Sequence, residues 1–238
     1  MQVFQSFHYP QTFFKDRKDA GRKLAEKLIT YCRDRTLLCP YSIVLALPRG
    51  GVIVGYEIAQ KLNVPLDVII VRKIGAPEQP ELGVGAISEN NTLVLNENKI
   101  STLGYSKNQI DEVIEKEKKE MKRRIELYRS NRPLPDLKDK TVILVDDGLA
   151  TGVTALAAIT ALSKLKPKQL IIALPVCSNT ASRSFNLKVD DFICLHSLFD
   201  FQAIGLYYEN FEQTTDEEVI NLLKKSRDRS RPVPTKNH

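Results

Sequence analysis

Residues 142–154 read Val-Ile-Leu-Val-Asp-Asp-Gly-Leu-Ala-Thr-Gly-Val-Thr. An apolar run ends in two acids, small residues follow, and a helical pattern starts at Gly152 and continues to Leu165. Three further apolar runs match the first: Ser42–Leu47, Asp67–Val71 and Gln169–Leu174, with a fifth at Asp191–Leu195. All are short and rich in Val and Ile, without the alternation of a half-exposed antiparallel sheet. Amphipathic or Ala-containing helical patterns separate them, over residues 16–34, Val52–Leu62 and Gly152–Leu165. Strand, turn, helix and strand in succession predict an α/β fold, an open and mainly parallel twisted sheet with helices on both faces.

The composition agrees. The chain has 238 residues, 42% of them hydrophobic, with 11 Gly and 12 Pro, which excludes collagen-like and low-complexity chains. No apolar run approaches the roughly 18 residues that span a bilayer. The first residues, MQVFQSFHYPQTFFKDRK, lack a basic start followed by an apolar core, so no signal peptide is expected. Cys32, Cys39, Cys177 and Cys194 form no CxxC pair and have no metal-ligand spacing. Reduced thiols and a cytoplasmic location are expected.

Two segments interrupt the strand and helix alternation. Residues 83–95 hold two short β-like runs around Asn90-Asn91, a hairpin signal. Residues 106–131 form a long charged helix, with Glu112–Lys116 and Glu120–Arg124 at i,i+4 spacing. The net charge is +6, yet residues 224–238 hold six basic side chains against Asp228 alone, leaving residues 1–223 at +1. The basic pI of about 9.0 therefore belongs mostly to the tail, read as a frayed helix end and a disordered segment, and argues against nucleic acid as a partner.

In a parallel sheet, ligands bind outside the carboxyl ends of the strands, where the loop of 146–152 would sit. Free N–H groups at the helix start, with the Thr151 and Thr154 hydroxyls, suit a phosphate monoester, and Gly148 and Gly152 allow close approach. Carboxylates repel phosphate, so Asp146 and Asp147 must face something neutral or cationic beside it, such as sugar hydroxyls or hydrated magnesium. A helix cap alone explains one acid, but not two acids with two threonines and two glycines. A Walker loop is excluded because no Lys follows Gly152, and Gly83-Val84-Gly85 lacks the third glycine of a dinucleotide fingerprint. An acid pair also ends the first strand of response-regulator receivers, but there it lies near the domain start and leaves the Thr-Gly-Val-Thr stretch unexplained.

With these residues in place, DDGLATGVT resembles the phosphoribosyl pyrophosphate signature of the type I phosphoribosyltransferases. It matches at the acid pair, Thr151, Gly152 and Thr154, and varies at Gly148 and Val153. Stretches RKIGAPEQPELGVGAI and YYENFEQTTDEEV resemble a branch of that family without a settled acceptor, and the resemblance covers about residues 14–223.

The resemblance implies the type I phosphoribosyltransferase fold with a small hood, here with the long charged helix inserted. Residues 1–223 are then one domain, with the hood from the N-terminal segment and 196–223, a mobile loop at 74–92 and the long helix at 106–131. It implies magnesium, phosphoribosyl pyrophosphate and a heterocyclic acceptor. Gly148, Ala150, Thr151, Gly152, Val153 and Thr154 would then bind the 5-phosphate, and Asp146 and Asp147 the ribose hydroxyls or metal waters. Pro48-Arg49-Gly50-Gly51, on the same sheet edge, is suited to pyrophosphate, since Arg49 offers a charged fork and Gly50 and Gly51 free the backbone; a plain βα turn is the alternative. Arg72-Lys73 ends the second apolar run, and the resemblance implies that Lys73 reaches the pyrophosphate; a solvated strand end is the alternative. Glu81 and Glu89 are acids able to stabilise a cationic ribose or assist the acceptor. Five aromatics crowd residues 199–211, and Phe199 or Phe201 could stack on a planar base, or all five could form a small satellite core. His196 reads as structural rather than catalytic.

The expected activity is transfer of phosphoribosyl to a ring nitrogen with release of pyrophosphate. A sensor that binds the same ligand without turnover is the alternative. The long helix and hood leave surface for a homodimer, and no membrane partner is expected.

Overall fold

The computed structural model describes residues 12–34, 42–185 and 188–229. In chain order the elements are α1 (Arg17–Asp34), β1 (Ser42–Ala46), α2 (Gly50–Leu62), β2 (Leu66–Val68), β3 (Val71–Ala76), β4 (Gln79–Ser88), β5 (Leu93–Leu95) and α3 (Glu97–Thr102). Then follow α4 (Lys107–Arg129), β6 (Thr141–Val145), α5 (Val153–Ser163), β7 (Gln169–Ser178), α6 (Asn179–Phe185), β8 (Asp191–Leu198) and α7 (Asp216–Arg229).

Five strands pair in parallel in the order β2-β1-β6-β7-β8. Their side chains alternate between two buried clusters, which is why the sequence shows continuous apolar runs. Val44, Ala46, Ile143 and Val145 face the cluster of Leu24, Leu28, Val52 and Ile58 from α1 and α2. Ile43, Leu45, Val142 and Leu144 face Ala155, Ala158, Ile159 and Leu162 of α5. The expected α/β architecture with both faces covered is what the chain adopts. Among the described residues, no helix is long and apolar enough to cross a membrane.

The run Asp67–Val71 does not form one strand. Its parallel pairing with β1 stops at Val68, and after Ile69 and Ile70 the chain pairs again, antiparallel, in a second sheet of order β3-β4-β5. Both isoleucines are buried, so the apolar run is real although the ladder changes. Residues 74–92, expected to be a loop, are largely this hairpin. A register shift on either side of Gly75 marks its irregular end, and a turn at Glu89–Thr92 leads into β5.

The long charged helix is present as α4. It starts at a capping box of Ser106 and Gln109 and ends at Ser130 in the left-handed region. Ile110, Ile114, Met121 and Tyr128 form its buried stripe, and Glu120 pairs with Arg124 at 2.9 Å. The last helix, α7, packs on α2 and α4 rather than on the hood, and Lys224–Arg229, read as frayed, are helical. The rest of the expected tail lies outside the described residues.

The hood is a third cluster. Phe14, Tyr207 and Tyr208 are buried together, with Phe13, Phe201, Ile204 and Phe211 around them. Backbone bonds from Phe13 and Phe14 N–H to the Tyr207 carbonyl, 3.0 and 3.1 Å, tie the segment before α1 to this cluster.

Candidate functional site

Two loops meet at the carboxyl ends of β1 and β6. The Leu47 N–H donates to the Val145 carbonyl at 2.9 Å, which carries the pairing one residue past β1 and brings Pro48–Gly51 beside the acid pair. A methyl group on Gly51 would sit 2.9 Å from Asp146 Cα, and one on Gly50 would sit 1.9 Å from Asp147 Oδ2. Glycine is required there because the turn lies directly on the acids. The turn opens α2, whose N-cap Arg49 has no side-chain capping bond. The Arg49 Nη1 lies 3.8 Å from the Asp216 carboxylate, which also accepts from the Tyr128 hydroxyl.

The two acids are placed differently. Asp146 is half-buried, and its carboxylate accepts from the Asp147 N–H at 2.9 Å. Asp147 is buried, and its Oδ2 accepts from Arg17 Nε at 2.7 Å. Desolvation raises the pKa of both, for Asp146 well above the ordinary carboxylate range, and the Asp147 charge pushes Asp146 further up. Arg17 opposes the rise at Asp147. Two adjacent, desolvated carboxylates resist carrying two charges until a cation or hydroxyl donors arrive.

The loop after the acids is shaped by β7. Leu149 N–H donates to the Val176 carbonyl at 3.0 Å, Ser178 N–H returns to the Leu149 carbonyl at 2.9 Å, and Ser178 Oγ holds the Ala150 carbonyl at 2.9 Å. Gly148 packs on Ile204 of the hood. Gly152 has φ +77° and lies against the Phe185 ring, where a methyl group would come within 2.5 Å; both facts demand glycine. Among the described residues, nothing accepts from the N–H groups of Thr151, Gly152, Val153 or Thr154. Thr151 is exposed and Thr154 half-buried, so two hydroxyls and four N–H groups stand together at the start of α5. Such an arrangement is able to hold an anion.

Other expected site residues lie elsewhere. Lys73 is in β3, on the second sheet and not at a parallel strand end, and its Nζ pairs with Glu81 Oε2 at 3.2 Å. The physical reason is the change of pairing at Ile69–Ile70. Glu89 is no free acid: its carboxylate binds the buried Arg129 guanidinium and accepts from Ile70 N–H at 2.8 Å. Phe201 packs on Tyr207 with ring centroids 5.3 Å apart, whereas Phe199 is 79% exposed. His196 stacks on Phe13 at 3.9 Å, and burial lowers its pKa, the behaviour of a structural residue.

Sequence reasoning missed Arg17, Tyr128 and Asp216. Arg17 is one of several basic residues at the start of an amphipathic helix, and nothing local marks it, because its partner lies 130 residues away.

Comparison with known proteins identifies the family. Residues 14–209 match the phosphoribosyl transferase domain family. A Mycobacterium tuberculosis protein, Rv0571c, provisionally named a phosphoribosyl transferase, is 38% identical over 213 residues, 90% of this chain and 47% of its own length. The chain thus spans about half the length of the curated relatives it matches. The crystal structure of TT1426 from Thermus thermophilus is similar with a TM-score of 0.74 and 36% identity, covering 90% of this chain and 99% of that one. The family match covers residues 14–209, including the acid pair and the start of α5 on the parallel sheet edge, and the chain belongs to the phosphoribosyl transferase domain family.

Proposed function

We propose that the protein transfers phosphoribosyl from phosphoribosyl pyrophosphate to a ring nitrogen of a nucleobase or similar heterocycle, releasing pyrophosphate. The observation that carries this reading is the set of N–H groups and hydroxyls at Thr151–Thr154, without acceptors among the described residues, four residues beyond the Asp146-Asp147 pair. The cradle takes the 5-phosphate, Asp146 and Asp147 take the ribose hydroxyls, and the Arg49–Gly51 turn takes the pyrophosphate.

Magnesium fits the donor set. Among the described residues, no group of three or more His, Cys, Asp or Glu side chains could hold a metal. A cation here has the two aspartates and completes its shell from ligand oxygens and water, the usual manner of magnesium. Bound there, it would supply charge neutralisation to the pyrophosphate. The chain itself holds the ribose, aims the anomeric carbon and keeps the leaving group beside Arg49.

One observation favours a second reading, a sensor that binds without turnover. Arg49 and Lys73, the cations proposed for the leaving group, both face carboxylates of the chain, Asp216 and Glu81.

A pyrophosphate-release assay with magnesium and a panel of heterocycles separates the two. Release with one class of base, reduced on the order of 10²-fold in Asp146→Asn, is expected of the enzyme. Thermal stabilisation by phosphoribosyl pyrophosphate without release marks the sensor. No stabilisation at all sinks both.

A further inference from the structure

We infer that Arg17, outside every segment that resembles the signature, is a positioning residue of this site: it fixes the Asp147 carboxylate and links it to the hood. The inference rests on the ligand reading above. Arg17 is buried and makes three contacts at once. Its Nε donates to Asp147 Oδ2 at 2.7 Å, and its Nη1 donates to the Glu212 carbonyl at 2.7 Å. Its guanidinium carbon lies 3.7 Å from the centre of the Phe211 ring. From the hood side, the Tyr208 hydroxyl donates to the Asp147 backbone carbonyl at 2.6 Å, and Tyr208 packs on Phe211.

Asp147 is therefore held at both its side chain and its main chain, by groups from opposite ends of the sequence. Gly50 lies on the same pair, since a methyl group there would approach Arg17 Nε within 2.7 Å as well as the carboxylate. The acid that meets ribose, the turn proposed for pyrophosphate and the hood share one guanidinium. A planar fork serves all of these directions, and an ammonium at this position reaches one.

A purely structural ion pair would also bury a guanidinium, so the test must read the ligand and not only the fold. Affinities for phosphoribosyl pyrophosphate with magnesium, and separately for inorganic phosphate, are measured by calorimetry in the wild-type chain, Arg17→Lys, Arg17→Met, Asp147→Asn and Arg17→Met/Asp147→Asn. Inorganic phosphate reports the proposed anion subsites by themselves, without the ribose that is proposed to meet Asp147. Arg17→Met is expected to weaken phosphoribosyl pyrophosphate about tenfold or more while leaving phosphate unchanged, and the double variant to be no weaker than Asp147→Asn, the signature of two residues acting as one. Arg17→Lys is expected to fall between, and it carries the same comparison should Arg17→Met not fold. Unchanged affinity in the Arg17 variants, parallel loss of both ligands, or additive losses in the double variant overturn the inference. A wild-type chain that ignores phosphoribosyl pyrophosphate overturns the ligand reading itself, a result visible before any substitution is made.

Discussion

Gly50 shows how little room the reacting edge leaves. Its missing side chain is the space in which Asp147 and Arg17 meet. Gly50→Ala should cost about 1–3 kcal/mol by overpacking, and chemical denaturation would measure it. It should also displace the Arg17–Asp147 pair, so ligand-induced stabilisation should be lost even where the fold persists. The neighbouring acids give a pH prediction. Desolvation raises the pKa of Asp146, Asp147 and Asp67 in the folded chain above the unfolded value, so folding retains protons there. Stability of the unliganded protein should accordingly be higher near the ordinary carboxylate range and decline as pH rises toward the raised values. A cation or ribose prefers the ionised pair, so stabilisation by phosphoribosyl pyrophosphate and magnesium should strengthen over the same window. Melting curves with and without ligand between about pH 5 and pH 8 would check both slopes, and parallel slopes would contradict the assignment.

At the scale of elements, the closing of α4 on the second sheet depends on Arg129. Its guanidinium is 1% exposed and binds Glu89, whose other oxygen caps Ile70 N–H. Removing one partner leaves a buried charge alone, so Arg129→Met should lower stability by about 3–5 kcal/mol, read from a urea titration. Glu89→Gln should cost about as much, because it keeps the bond from Ile70 N–H but leaves the buried Arg129 guanidinium without its counter-charge. The acid pair, the glycines and α5 were legible because strand, loop and helix start adjoin within 13 residues, each with a local physical reason. The handover from β2 to β3 was not, since Asp67–Val71 is apolar throughout and composition cannot tell which ladder accepts each residue. Lys73 and Glu89 were misplaced for that reason. Arg17 was illegible for another: its role exists only once the fold brings residue 147 to it.

For the whole molecule, the near balance of charge over residues 1–223 matters more than the pI. The net +6 is concentrated after residue 223, partly on α7. Binding to duplex DNA should stay in the non-specific range, weaker than about 10⁻⁶ M at physiological salt, and fade as salt rises. Tight, salt-resistant retention on a filter would overturn this. The proposed phosphate site at Thr151–Thr154 offers backbone N–H groups and hydroxyls rather than cations.

The junction at Ile69–Ile70 has a mechanical consequence. Two buried residues join the sheet that holds the anion cradle to the hairpin that carries Lys73. Glu89 staples that joint twice, through its side chain to Ile70 N–H and its own N–H to the Ile70 carbonyl. Arg72 clamps the first residues of the hairpin to Glu117 of α4 at 2.7 Å. The hairpin is therefore tied twice at its root, while its tip at Pro77–Glu81, beyond the irregular pairing at Gly75, is largely exposed. Lys73, paired with Ala86 before that irregularity, belongs to the tied part, and bending the tip would take Glu81 away from it and free its ammonium in place.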